Sequence, residues 1–341
     1  MKPFGTSMSP HLPRPRGPIS RAVIRALATR KPGDVTFATP PEHIDPFSAD
    51  VQVALTACYE LHYRGFEGVD ADWEWDPQLI GLRSALEKPF LARLRAEVGP
   101  RDDIDATLDS LCIEPADGEG FSYYLRDVGT WENFREYFVH RSMYHLKEAD
   151  PHAWVIPRLT GRAKAGIVAV EFDEFGGGRA DRIHSQLFAD LMRAADLEPA
   201  YLAYVDSASA EALAVVNFMS MCGLRRGLRG AIVGILAAAE ITSSPGSRRT
   251  VEALERLGAP QACIHFYAEH IEADAVHEQV MRREVVAGLL EQEPGLAADV
   301  VFGVVASDIL ETRLTTAVLD AWRSGRSSLE PINDHSALGV G

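Results

Sequence analysis

The apolar residues of this chain recur at intervals of three and four, which is the period of an α-helix. The clearest stretch is residues 119–148, where aromatic and apolar side chains keep this spacing. Few segments alternate with a period of two, and the sequence contains no Asn-Gly pair of the kind that closes a β-hairpin. The sequence therefore predicts an all-α protein of roughly seven to ten helices.

Proline and glycine mark where these helices should end. Residues 167–172 could form a short strand, but we favour a helix that runs into Gly176–Gly178, with the glycines as a break and not a phosphate-binding loop. Further helices are predicted over residues 50–66, 77–98, 119–148, 180–194, 198–218, 228–241, 248–257, 259–290 and 297–323.

Composition divides the chain into four predicted stretches. Residues 1–33 contain seven Lys or Arg, several prolines and no acidic residue, so residues 1–45 are predicted to be a disordered basic tail. Residues 46–118 should form an N-terminal helical extension packed on a core domain, residues 119–325. Residues 326–341 should form a flexible C-terminal tail.

Charge and cysteine usage exclude several classes of protein. Residues 34–341 carry 27 basic and 49 acidic side chains, a net charge of −22, which should repel nucleic acid. The four cysteines lack CxxC spacing, which argues against a zinc ribbon or a disulfide framework and favours a reducing, cytoplasmic location. No signal peptide is recognisable, and the longest apolar run, Ala231–Ala239, is far shorter than the roughly 20 residues that span a bilayer.

The segment His270–His277 places His270, Asp274 and His277 at positions i, i+4 and i+7 of a predicted helix. At about 100° per residue these three side chains lie on one face. Imidazole and carboxylate together are ligands for iron, manganese or zinc. The alternative is a solvated helix face, because the surrounding residues are rich in Glu, Asp and His.

Glu240 follows an apolar segment that begins at Gly230. A buried, unpaired carboxylate costs several kcal/mol, so Glu240 should either meet a cation or lie at an exposed helix end. The helix-end alternative is supported by Thr242 to Pro245, which follow at once.

Further candidate ligands flank predicted helix breaks. Glu148 precedes a proline, and Glu174 and His184 flank the glycine run. Each alone could be a surface acid or a structural histidine, and His145, with His140 and His152 at lower weight, is a rival ligand. The complete candidate set has four carboxylates and three imidazoles, enough for two iron ions: Glu148, Glu174, His184, Glu240, His270, Asp274 and His277.

The ferritin-like di-iron bundle uses two Glu-x-x-His motifs, and this chain has none. Instead it resembles the haem-oxygenase-like di-iron oxidases and oxygenases, often labelled iron-containing redox enzymes. The matching pieces agree with that family in order and spacing: KEADPH (147–152), EFDEFGGGRADRIHSQLF (171–188), RGAIVGILAAAEITSS (229–244) and HIEADAVHEQV (270–280).

The resemblance covers about residues 50–320 and implies a haem-oxygenase-like seven-helix bundle with extra N-terminal helices and no haem. It implies two Fe2+ ions held by the seven candidate residues, with Glu174 as the additional carboxylate of the N-oxygenating branch. It further implies reaction with O2 through a peroxo-diferric intermediate and a small substrate, either an amino acid or another amine-bearing carboxylate. An external electron donor and a homodimer are compatible with it; nucleic acid and membrane partners are not expected.

Several functions stay open at this point. N-oxygenation is the first expectation, and oxidative C–C cleavage or desaturation by the same site is the second. A metal-free haem-oxygenase-like enzyme, such as a thiaminase-like hydrolase or a cofactorless oxidase, is a third. A non-catalytic iron-binding protein is a fourth.

Overall fold

The computed structural model describes residues 9–114 and 117–331, apart from the side chains of residues 272, 274 and 275. Over these ranges the regular elements are helices and none is a strand, so the all-α prediction is confirmed. The α-helices are α1 (Pro18–Thr29), α2 (Ala49–Glu60), α3 (Pro77–Val98), α4 (Ile104–Leu111), α5 (Phe121–Asp127), α6 (Trp131–His145), α7 (Asp150–Ala153), α8 (Gly161–Glu174), α9 (His184–Ala194), α10 (Ala210–Leu224), α11 (Arg229–Arg256), α12 (Gln261–Val280), α13 (Ala287–Gln292) and α14 (Ala297–Arg323).

Helix α11 lies at the centre of the bundle and packs along both α12 and α14. Two glycines permit the close approach of α11 and α14: a Cβ atom at Gly234 would overlap the carbonyl of Val300, and one at Gly303 would overlap that of Ala231. Helix α9 packs on α12, and α8 packs on a π-helical turn, Met281–Val286, that continues α12. No helix in the described ranges has both the length and the apolar composition needed to cross a bilayer.

The N-terminal stretch differs from the sequence prediction. Where a disordered tail was expected up to residue 45, α1 forms and buries Val23, Ala26 and Leu27 on one face. Asp50 of α2 accepts hydrogen bonds from the backbone of Ser20 at 2.7 Å and from its hydroxyl at 2.6 Å. The expectation of disorder is therefore wrong for the described part of this stretch, because an apolar helix face and a capping carboxylate attach it to α2. Residues 1–8 and 332–341 lie outside the described residues.

Several predicted helix boundaries also differ. The helix predicted over 119–148 is divided into α5, which ends at Asp127, and α6, which begins at Trp131. The helix predicted over 198–218 begins only at Ala210, after a series of turns in which Leu202 has a positive φ of 57°. The two helices predicted on either side of Pro245 form one continuous α11. The helix predicted over 259–290 is divided by the π-helical turn. The helix favoured over residues 167–172 is present as part of α8.

Helix α2 and the residues after it pack on α10 and on the loop after α6. Asn217 of α10 donates to the backbone and side-chain oxygens of Gln52 at 2.9 and 2.8 Å. The N-terminal helices are thus attached to the bundle by buried polar contacts as well as apolar ones. The exact boundary between extension and core, at residues 118–119, stays a prediction.

Candidate metal centre

Two groups of three buried side chains lie next to each other inside the bundle. Glu148, His184 and His270 form one group, called here the Glu148 trio, and Glu174, Glu240 and His277 form the other, the Glu174 trio. Within each trio the potential ligand atoms lie within 4.8 Å of one another. His184 Nδ1 is 2.7 Å from Glu174 Oε2, so the two trios adjoin. Six of the seven predicted residues therefore come together, and the side chain of the seventh, Asp274, lies outside the described part.

Five of these six side chains belong to a helix or its end, and Glu148 lies in a loop. Glu174 is the last residue of α8, and His184 is the first residue of α9. The three glycines between them adopt positive φ values of 73°, 61° and 79°, and a Cβ atom at Gly176 would lie 2.7 Å from the backbone of Ile183. Glycine therefore allows the tight turn that brings the ends of α8 and α9 together.

Glu148 lies in the loop between α6 and α7 and is only 7% exposed. Its Oε1 atom is 2.8 Å from His145 Nδ1 and 3.6 Å from His270 Nε2. Burial alone would raise the pKa of Glu148, but the adjacent His145 and His270 rings hold that pKa well below its usual range. Its Oε2 atom is buried and makes no hydrogen bond with any described residue, as expected for a carboxylate oxygen that takes a metal ion.

The backbone sets the tautomer of His270. Its Nδ1 atom is 2.7 Å from the carbonyl oxygen of Phe266, one helical turn earlier. A carbonyl only accepts hydrogen bonds, so Nδ1 carries a proton, and Nε2, on the side of Glu148, is the nitrogen whose lone pair can bind a metal ion. This arrangement orients an imidazole for metal binding.

His277 is oriented from both sides of its ring. Its Nδ1 atom is 2.9 Å from Glu240 Oε2 and 3.7 Å from Glu174 Oε1, and its Nε2 atom is 3.2 Å from Asp173 Oδ2. Asp173 is absent from the sequence-predicted set, although it precedes Glu174 directly. Both carboxylates, Glu240 and Asp173, only accept hydrogen bonds when ionised, so each ring nitrogen faces an acceptor. With a metal ion bound at Nδ1, on the side of the Glu174 trio, the Asp173 contact would hold the ring proton on Nε2.

Several candidate ligands had an alternative interpretation as an exposed helix end, a solvated helix face or a surface group, and the structure excludes it. Glu240 is 6% exposed in the middle of α11, which continues to Arg256, so the helix-end alternative is wrong. His270 and His277 are 6% and 2% exposed, so these two side chains are not solvated. Glu148, Glu174 and His184 are buried too and are not surface groups.

The rival histidines lie outside the trios. His145 contacts Glu148 through Nδ1 and so orients a candidate ligand. His140 Nε2 is 3.1 Å from the Ser328 hydroxyl, at the C-terminal end of the described chain. His152 is fully buried, and burial lowers its pKa to about 4, so it is a neutral ring at neutral pH.

Glu171 is a second carboxylate that the sequence reasoning missed. It lies one turn before Glu174 on α8, is 3% exposed, and neither of its oxygens has a hydrogen-bond partner among the described residues. Burial, followed by the charges of Glu174 and Glu240, raises the pKa of Glu171 to about 9. Glu171 is therefore a neutral carboxylic acid next to the two trios at neutral pH.

Comparison with known proteins agrees with this geometry. A family model described as iron-containing redox enzyme matches residues 135–311, a span that includes both trios and Asp274. A nitrosourea synthase of Streptomyces achromogenes subsp. streptozoticus is 25% identical over 312 residues, an alignment that covers 84% of this chain. The same alignment spans 65% of the length of that relative.

Proposed function

This chain belongs to the iron-containing redox enzyme family, and from that premise we propose that it is a non-haem di-iron oxygenase or oxidase. The proposed substrates are O2 and an amino acid or other small amine-bearing carboxylate. N-oxygenation is the proposed reaction. The observation that carries the proposal is the pair of adjoining buried trios, each built from carboxylate and imidazole.

Charge balance supports two divalent ions. Glu148, Glu174 and Glu240 are buried, and Asp274 adds a fourth carboxylate from the same helix face as His270 and His277. Four ionised carboxylates carry −4, which two Fe2+ ions would offset, whereas uncompensated buried charges cost several kcal/mol each. Oxygen and imidazole donors suit non-haem iron, and neither trio contains a cysteine.

The protein would supply orientation and exclusion of water. Glu148, His184 and His270 would hold one iron, and Glu174, Glu240 and His277, with Asp274, would hold the other. Bound iron would supply the reaction with O2. His145, the Phe266 carbonyl and Asp173 orient Glu148, His270 and His277 respectively. The Phe266 ring lies 4.5 Å from the His270 ring between centroids, and Phe188 packs on Phe266 at 5.1 Å and on His145 at 4.9 Å, so this side of the Glu148 trio has an apolar wall.

N-oxygenation is preferred over C–C cleavage or desaturation for two reasons. The name of the relative, nitrosourea synthase, denotes a product in which nitrogen is bonded to oxygen. Glu174, the additional carboxylate that the family resemblance associates with N-oxygenation, lies beside His184 at 2.7 Å. We further propose a cytoplasmic location, because the four cysteines are free, with a homodimer as the assembly and an external electron donor.

The test is anaerobic loading with Fe(II), followed by mixing with O2 in a stopped-flow instrument. We expect two irons per chain, a transient visible absorption band, and O2 consumption that increases with one member of an amino-acid panel. Iron binding without substrate-dependent O2 consumption would instead support a non-catalytic iron-binding protein. A chain that binds no iron would support a metal-free enzyme and exclude the proposal.

Asp274→Ala should lower the iron content below two per chain, because it removes one carboxylate of the His270–His277 face. Iron is measured by a colorimetric chelator after gel filtration. Glu269→Ala is a matched control on the same helix, since the Glu269 side chain is 43% exposed and pairs with His265. Full di-iron loading of Asp274→Ala would show that Asp274 is not a ligand.

Asp173→Asn should weaken binding of one of the two metal ions by about 10-fold or more, because a neutral amide orients and polarises the His277 ring less well than a carboxylate. Anaerobic Co(II) titration followed by visible absorption measures both affinities. Asp181→Asn is the control, because Asp181 is an exposed acid in the same α8–α9 connection. Equal affinities for wild type and Asp173→Asn would contradict an orienting role.

A further inference from the structure

The loop that carries Glu148 is held from outside the family-matched region. Lys147 is 1% exposed, and its ammonium group forms an ion pair with Glu60, the last residue of α2. The other oxygen of Glu60 accepts a hydrogen bond of 2.5 Å from the Tyr201 hydroxyl. Glu60 is itself 2% exposed, so both charges of the pair are buried.

Two residues that follow Glu60 hold the same loop. The Lys147 ammonium lies 4.1 Å from the centroid of the Tyr63 ring, a cation–π contact. Arg64 donates a hydrogen bond of 3.2 Å to the carbonyl of Leu146. The backbone and side chain immediately before Glu148 are therefore fixed by the end of α2 and the turn after it.

This loop needs external support. Ala149 has a φ of 72°, a left-handed conformation that a residue with a Cβ atom adopts only when its surroundings impose it. Replacing a buried ion pair by well-packed apolar groups is often neutral or stabilising, so free energy alone does not account for this pair. The Lys147–Glu60 pair is therefore a candidate for setting loop geometry.

Consecutive side chains link this pair to the candidate metal centre. Lys147 extends toward α2, whereas Glu148 extends toward His270, with Oε1 3.6 Å from Nε2. A displacement of the backbone at Lys147 would move Glu148 with it. We propose that Glu60 is a positioning residue for Glu148, so that the N-terminal extension, outside residues 135–311, is a working part of the metal centre. This inference rests on the proposed function, because it presumes that Glu148 binds a metal ion.

The experiment compares metal affinity with stability in Glu60→Gln and in the double variant Glu60→Gln/Lys147→Met. Anaerobic Fe(II) and Co(II) titrations give the two dissociation constants, and thermal unfolding of the metal-free protein gives stability. We expect Glu60→Gln to weaken one of the two ions by about 10- to 100-fold and leave the other unchanged. The double variant removes the uncompensated ammonium, so its melting temperature should recover while its metal affinity does not.

Glu87→Gln is the matched control. Glu87 of α3 is a buried carboxylate that accepts hydrogen bonds from Tyr59 at 2.8 Å and from Arg225 Nε at 2.6 Å, away from the Glu148 loop. The Glu87→Gln variant should have a lower melting temperature than the wild type and the same two dissociation constants for metal. The inference is overturned if the double variant binds both ions like the wild type, or if Glu87→Gln loses affinity in the same proportion as Glu60→Gln.

The outcomes separate this inference from the proposed function. Wild-type protein that binds two ions with no substrate-dependent O2 consumption would contradict the oxygenase function and leave the positioning role of Glu60 supported by the affinities. If the wild type is an active di-iron enzyme and Glu60→Gln binds both ions like the wild type, the oxygenase function is supported and the positioning role of Glu60 is contradicted.

Discussion

Glu240→Ala should reduce the metal content from two ions to one and abolish O2-dependent activity. Glu240 is the carboxylate of the Glu174 trio that lies closest to His277, with Oε2 2.9 Å from Nδ1. Because loss of a group that merely orients a ligand weakens binding by about 10- to 100-fold, loss of a charged ligand should weaken it by at least about 100-fold. Anaerobic titration with Fe(II) and chemical iron analysis measure the effect.

Without metal, by contrast, the same variant should be at least as stable as the wild type. Without a cation, Glu240 is a buried acid close to Glu174, so its removal relieves desolvation and repulsion, which offsets the loss of its contact with His277. We therefore expect an unchanged or higher melting temperature without metal, and a smaller increase on adding Fe(II) than the wild type shows. A variant that unfolds without metal would indicate a structural role for Glu240 and contradict this account.

Glu252→Ala is the control for that experiment. It lies on the same helix, α11, but on an exposed face. It should leave metal content, activity and the metal-induced rise in melting temperature unchanged. A similar loss of iron in both variants would show that the effect comes from the helix and not from the ligand.

For Glu240, the sequence predicts burial but not the continuation of its helix. The apolar run before it predicts burial, and burial of a lone carboxylate indicates a cation. Whether the helix ended after it could not be settled locally, because Pro245 removes one backbone hydrogen bond and usually ends a helix. Helix α11 continues through Pro245 and packs along α12, α14 and α5, and such long-range contacts are not visible in a local sequence pattern.

The sequence likewise predicts some residues of the candidate site and misses others. His270 and His277 share a helix face, so their proximity follows from helix geometry alone. Glu148, Glu174 and His184 could be grouped with them by family spacing. Asp173 and Glu171 could not, because their roles depend on which side of α8 faces α12 and on how completely the bundle excludes water. The sequence also did not predict that residues 9–45 are ordered, since their structure depends on contacts of α1 with α2.

Glu171→Gln should stabilise the metal-free protein by about 5 kcal/mol at pH 8 and by about 1 kcal/mol at pH 5. The pKa of Glu171 is raised to about 9 in the folded protein, mainly by burial and then by Glu174 and Glu240, against about 4.3 when unfolded. Between these values the folded state holds one more proton than the unfolded state, so stability falls by about 1.4 kcal/mol per pH unit as pH rises. Glutamine has nearly the same shape and cannot ionise, so the variant loses this pH-dependent penalty.

Denaturant unfolding of both proteins at pH 5, 6.5 and 8 tests the expectation, and a second buried glutamate supplies the contrast. Glu87 accepts hydrogen bonds from Tyr59 and Arg225, so Glu87→Gln should destabilise the protein where Glu171→Gln stabilises it. Added metal should reduce the gain from Glu171→Gln, because cations at Glu174 and Glu240 replace the repulsion that helps to raise the pKa of Glu171. A stability difference that is the same at pH 5 and pH 8 would mean that Glu171 is ionised in the folded protein and has a cationic partner.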